Sequence, residues 1–109
     1  MPRTDALIGS LDLLVLKTLA SRPGLHGYAL MTAIQVASED ALRVEEGSLY
    51  PALRRMEEAG WLSAKWVQKD NGRRARAYRL TRAGKKQLAA EEERWLSLAE
   101  AVRQVLRSV

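Results

Sequence analysis

Apolar positions in this chain fall into blocks of helical spacing and one block of strand-like alternation. Leu11, Leu14, Val15, Thr18 and Leu19 recur at helical intervals, and Leu13 and Leu16 add apolar positions off that stripe. The spacing predicts a first helix that is apolar on more than one side. Ser10 and Asp12 mark its start, supplying a hydroxyl for an orphan amide and a carboxylate at the positive end of the dipole. Arg22-Pro23-Gly24 stops it. A second helix is predicted from about Tyr28 to Ala37, burying Leu30, Ala33 and Ile34. Residues 38–46 are polar and acidic, a connector in which Leu42 and Val44 are expected to form a short strand. A third helix is predicted from about Ser48, with Pro51 in its first turn, where a missing N–H costs nothing. Its buried stripe is Leu49, Leu53 and Met56, at i, i+4 and i+7, and Gly60 ends it.

The period then changes to two. Leu62, Ala64 and Trp66 alternate toward one face, and Tyr78 and Leu80 share a face of a second strand. Asp70-Asn71-Gly72 between them predicts a tight two-residue hairpin turn, because Asn and Gly tolerate positive φ. Thr81 should cap a long last helix. Along it Leu88, Trp95, Val102 and Val109 recur every seven residues, with Leu98, Ala99, Val105 and Leu106 between them. A heptad seam on a terminal helix that has left the core requires a partner. The expected fold class is therefore mainly α (α+β). A winged helix-turn-helix occupies residues 1–82 and a C-terminal dimerisation helix residues 83–109.

With 109 residues there is room for one core. The formal net charge is +5, and its distribution is more informative than its sum. Residues 1–60 carry six Lys and Arg against eight Asp and Glu, whereas residues 61–90 carry nine against the single Asp70. Basic charge gathered on the hairpin and its flanks is the footprint of a polyanion binder. The absence of cysteine removes disulfides, Cys-ligated zinc and thiol catalysis. His26 is the sole histidine, so no metal is expected. Without a Ser-His-Asp set, a Gly-rich phosphate loop or paired carboxylates in an apolar setting, nothing points to an enzyme or a cofactor. Residues 6–20 are apolar but are interrupted by Asp12 and Lys17 and are too short to span a bilayer. No cleavable signal follows Met1-Pro2-Arg3-Thr4-Asp5, and a soluble cytoplasmic protein is expected.

With its apolar stripe inward, the third helix turns Ser48, Pro51, Arg54 and Arg55 to other faces, with Tyr50 beside them. A recognition helix enters the major groove by its N-terminal end, where hydroxyls and guanidinium groups reach phosphates and base edges. Lys69, Arg73, Arg74 and Arg76 cluster around the hairpin turn, where they can neutralise phosphates or enter a minor groove. A competing explanation makes the helix arginines partners of Glu57 and Glu58, and the hairpin charges a guard against edge-strand aggregation. A winged helix serving only as a protein-interaction module also stays open. Of the tryptophans, Trp61 is expected on the core, Trp66 either in the core or partly exposed, and Trp95 in the helix seam.

Several segments together resemble the PadR family of bacterial transcriptional regulators. They are Gly9-Ser10-Leu11-Asp12-Leu13-Leu14-Val15-Leu16, His26-Gly27-Tyr28-Ala29-Leu30, Glu46-Gly47-Ser48-Leu49-Tyr50-Pro51-Ala52-Leu53, Met56-Glu57-Glu58-Ala59-Gly60-Trp61-Leu62, Arg76-Ala77-Tyr78-Arg79-Leu80-Thr81 and Gly84. The resemblance implies a homodimer on pseudo-palindromic, double-stranded promoter DNA, usually a repressor released by an effector. It carries Ser48, Tyr50, Pro51 and Arg54 onto recognition-helix positions, and Arg73, Arg74 and Arg76 onto the wing. The chain resembles the family's short type, in which the first and last helices of two subunits embrace; Leu11, Leu88, Trp95, Leu98, Val102 and Val105 then form the dimer interface. Some short members take flat aromatic compounds at the dimer centre, which implies a ligand role for Trp95.

Overall fold

The computed structural model describes residues 10–108. The expectations placed on the first nine residues, including Gly9, and on Val109 lie outside them. The order is α1 (Leu11–Ser21), α2 (Gly27–Ala37), α3 (Glu46–Glu58), β1 (Leu62–Gln68), β2 (Arg74–Leu80) and α4 (Arg82–Ser108). This is the winged helix-turn-helix architecture, mainly helical, with a long C-terminal helix.

Ser10 precedes α1 as expected, but its hydroxyl does not cap the helix; its carbonyl accepts the Leu14 amide. Val15, Leu16 and Leu19 are fully enclosed, and Leu11 and Leu14 pack against the same cluster. His26 caps α2, its Nδ1 accepting the Ala29 amide at 3.4 Å, and Leu30, Ala33 and Ile34 turn inward as expected. The stripe Leu49, Leu53 and Met56, joined by Ala52, completes the core from α3. Sequence spacing alone located this stripe.

Three further local expectations are corrected. First, α3 begins at Glu46, because the Glu45 carbonyl accepts both the Ser48 and Leu49 amides. Pro51 therefore lies in the second turn, inside the helix, where its missing N–H breaks the ladder. Second, Leu42 and Val44 form no strand. The chain wraps the end of α2 instead, with Glu39 and Asp40 at positive φ, the Asp40 amide on the Gln35 carbonyl and the Leu42 amide on the Ser38 hydroxyl. The edge such a strand would have paired with is met by Leu25, which bridges Tyr78. Third, the hairpin turn has three residues. The Gly72 amide bonds the Lys69 carbonyl, the Lys69 amide bonds the Arg73 carbonyl, and of the turn residues Gly72 alone has positive φ (82°). That is a type I turn followed by a glycine bulge, which narrows the tip and leaves Asn71 to accept the Arg73 amide.

One junction joins three elements. Gly60, at φ 84°, ends α3 with the Trp61 amide on the Met56 carbonyl and the Gly60 amide on the Glu57 carbonyl, the paired bonds of a Schellman turn. The Trp61 carbonyl then accepts the Thr81 amide, while the Thr81 hydroxyl donates to the Gly60 carbonyl and accepts the Gly84 amide. Gly84 is buried against this turn, and a Cβ there would stand 2.1 Å from the Trp61 carbonyl oxygen. Backbone cannot yield as a flexible side chain would. Gly84→Ala is expected to lower stability in urea by about 2 kcal/mol or more, despite alanine's better helix propensity. An unchanged midpoint would mean that α4 does not press on α3 at this point.

Candidate nucleic-acid interface

The core packing of α3 decides what it presents outward. With Leu49, Ala52, Leu53 and Met56 enclosed, Gly47, Ser48, Tyr50, Pro51, Arg54, Arg55 and Glu58 are exposed. Tyr50 lies across the start of α2, its ring close enough to Gly27 to exclude a Cβ there. The guanidinium of Arg55 turns to α1 and grips Asp12 in a two-pronged pair at 2.9 and 2.7 Å. This bond raises the Arg55 pKa above its ordinary value, against the opposing effect of burial. Arg55 thus fastens α3 to α1, whereas Arg54 makes no ion pair among the described residues.

The strand register explains how the wing changes character along its length. One face pairs Leu62 with Leu80 and Ala64 with Tyr78 at the core, then Trp66 with Arg76 and Gln68 with Arg74 farther out. Where the core ends, this face continues as an aromatic ring between cations. Trp66 is 57% exposed, with the guanidinium carbons of Arg74 and Arg76 at 5.0 and 5.8 Å from its ring centroid. Of the two placements open to Trp66 in the sequence, the structure takes the exposed one. Stacking against a ring face holds a guanidinium flat while leaving its N–H donors available.

Arg76 also reaches back to Glu57 on α3 at 2.8 Å, tying the wing to the outward helix. The competing explanation of the helix charges is not met among the described residues: Arg55 pairs with Asp12, and Glu57 is taken by a wing arginine. Arg76 is consequently only partly exposed, and its Nε is enclosed without a hydrogen-bond partner among the described residues. Lys69, Arg73 and Arg74 form no ion pair among the described residues.

Between α3, the start of α2 and the wing lies a cleft of about 420 Å³. It brings together Tyr50, Arg54, Lys69, Arg74 and Arg76 from the residues selected by sequence. Pro51 lies round the helix with Arg54, Arg55 and Glu58, Ser48 is exposed on α3, and Arg73 is exposed at the wing tip. His26 and Trp66, which sequence reasoning left without a place in the site, line the cleft as well. For Trp66 a signal existed, because alternation puts it on the same strand face as Arg74 and Arg76. The Asp12–Arg55 and Glu57–Arg76 pairs join positions 43 and 19 residues apart and carried no such signal.

A helix-turn-helix with a basic wing beside its second helix defines the class of DNA-binding winged-helix proteins. Comparison with known proteins gives the family. The model of the transcriptional regulator PadR-like family matches residues 15–90. A PadR family transcriptional regulator from Eggerthella lenta DSM 2243 is 30% identical, with 96% of this chain and 88% of that one covered and a TM-score of 0.80. A transcriptional regulator from Clostridium thermocellum Cth-833 shares the fold at a TM-score of 0.83 and 23% identity, covering 93% of this chain and 97% of that one. An uncharacterized Lysinibacillus sphaericus protein is 24% identical over 102 residues, 94% of this chain and 93% of that protein. The chain belongs to the PadR-like family of transcriptional regulators, which are not enzymes. Among the described residues no helix is long and apolar enough to cross a membrane.

At the base of the cleft, burial pushes the Tyr78 phenol above its usual 10.0, with the Arg76 charge opposing. The neutral phenol is therefore favoured in the folded state. Its contribution to stability is complete below the unfolded pKa and is lost as pH rises through the folded value. Between about pH 9 and 11, Tyr78→Phe should lose stability less steeply than the parent in urea titrations. Parallel slopes would show that the ring does not resist ionisation.

Proposed function

We propose that this regulator is a dimeric, sequence-specific DNA-binding repressor whose hold on promoter DNA is released by a small-molecule effector. The observation that carries the DNA reading is the shared cleft. Tyr50 and Arg54 of the helix line the same surface as Lys69, Arg74 and Arg76 of the wing. In this reading α3 enters the major groove with Ser48, Tyr50, Pro51 and Arg54 toward bases and phosphates. The wing follows the neighbouring backbone with Lys69, Arg73, Arg74 and Arg76. Arg54, Lys69, Arg73 and Arg74, without ion pairs among the described residues, need break none to meet a phosphate. Each phosphate neutralised contributes about −0.9 to the slope of log K against log salt.

Dimerisation is supported by α4. Its 27 residues extend about 40 Å, and Gly84 is its only buried residue. Leu88 packs against the subunit's own core, as does partly buried Leu11 on α1. Farther along, Trp95 (47% exposed), Leu98 (62%), Val102 (48%) and Val105 (61%) continue at i, i+3, i+7 and i+10. A second copy related by two-fold symmetry covers this seam and sets two copies of α3 in successive major grooves, roughly 34 Å apart. An effector of flat aromatic type stacks on Trp95 in the seam and changes that spacing, so that both helices no longer fit their half-sites together.

Arg54→Ala is expected to weaken specific binding by about 1–3 kcal/mol and to relax base preference at one position. Equal weakening on every duplex would reduce Arg54 to a phosphate contact. Trp95→Ala should raise the dimer dissociation constant in sedimentation experiments, and an unchanged constant would remove Trp95 from the seam.

A further inference from the structure

Two of the poorest helix formers stand one turn apart on the outward side of α3, and among the described residues neither packing nor backbone conformation calls for the first. Gly47 is not among the glycines with positive φ, and a Cβ built on it meets no atom within 4 Å. Neither backbone conformation nor packing requires a glycine there. Pro51 lies inside the helix and has no amide hydrogen, so the Gly47 carbonyl lacks the donor that an α-helix supplies four residues on. Gly47, Pro51, Arg54 and Glu58 follow one another at i, i+4, i+7 and i+11, all exposed. The carbonyl is thus on the side of the helix that the core does not cover, with no side chain of its own to keep another molecule away.

We infer that the Gly47 carbonyl is a specificity determinant, a backbone acceptor that reads a base amino group in the major groove. The inference rests on the DNA reading above and deepens it. Its chemistry differs from that of its neighbours. Arg54 can only donate, and the hydroxyls of Ser48 and Tyr50 can donate or accept, so all three can serve a phosphate. A carbonyl cannot, because phosphate oxygens are acceptors too. In the major groove the available donors are the N6 amino group of adenine and the N4 amino group of cytosine. Guanine and thymine present O6 and O4 at that place, and acceptor then faces acceptor. Every base pair carries one amino group in this groove, on one strand or the other. The carbonyl therefore distinguishes A or C from G or T on the strand it faces, without distinguishing A·T from G·C pairs. Glycine at position 47 lets the backbone approach closely enough for this bond, and Pro51 keeps the acceptor from being used within the helix.

The test is selection from a random duplex library by the full-length parent, by Pro51→Ala and by Gly47→Ala, with thermal melting of each protein. Pro51→Ala supplies the missing amide and engages the carbonyl within the helix; Gly47→Ala leaves the acceptor in place but sets a methyl group before it. The parent is expected to show a preference of about fivefold for A or C over G or T at one symmetry-related position. Both variants should melt no lower than the parent and lose that preference, and Gly47→Ala should keep the other preferences and the salt slope. A stable Pro51→Ala variant that keeps every preference overturns the inference, as does a parent that lacks any position of the A-or-C type. A parent that binds duplexes with no sequence preference refutes the functional reading itself, and this inference with it.

Discussion

The turn between Gly60 and Trp61 is the joint on which the geometry of the exposed surface depends. Its carbonyls are claimed from two directions, by the Thr81 hydroxyl and amide, and the bare Cα of Gly84 rests against the second of them. The end of α3, the base of the wing and the start of α4 are therefore fixed relative to one another by backbone contacts. Helix α4 leaves this joint in a set direction and the wing returns to it. If two copies meet along α4, the separation of their outward helices is determined by the same few atoms that close each subunit's core.

The charged residues divide into those that hold the frame and those that remain available. Arg55 grips Asp12, and Arg76 grips Glu57 while lying on Trp66. These fasten α3 to α1 and the wing to α3. Arg54, Lys69, Arg73 and Arg74 sit beside them without such partners among the described residues. A net positive charge would not by itself indicate which cations meet a polyanion. The pairing pattern supports a choice, because an arginine already bound to a carboxylate must give that bond up before it can serve a phosphate. Exposed pairs are individually weak, about 1 kcal/mol or less. Their contribution here is to position neighbouring groups, as when the Glu57 pair holds Arg76 by the Trp66 ring on which Arg74 also lies.

Much of the fold was legible because it rests on periodicity. The stripe Leu49, Leu53 and Met56 gave the orientation of α3 directly, and Thr81 and Gly60 marked the helix ends at which their side chain and backbone act. The errors arose where local rules compete. Pro51 reads as a first-turn residue if the helix is started at the hydroxyl of Ser48; the extended Glu45 starts it earlier. Leu42 and Val44 alternate as a strand does, but the ladder edge is met by Leu25, from a loop with no strand signal of its own. Of the site, the residue types and the two elements were legible. The side-chain pairs across α1, α3 and the wing were not, since they depend on how elements cross rather than on spacing within one.

In the proposed complex two copies of this chain place helix and wing on adjacent grooves of one face of a duplex. Hydroxyl-radical footprinting on a duplex obtained by selection tests it most directly. Two equivalent protected blocks are expected, related by two-fold symmetry and centred about one helical turn apart, roughly 10 base pairs. A single protected block, or protection spread evenly along the duplex, would contradict it.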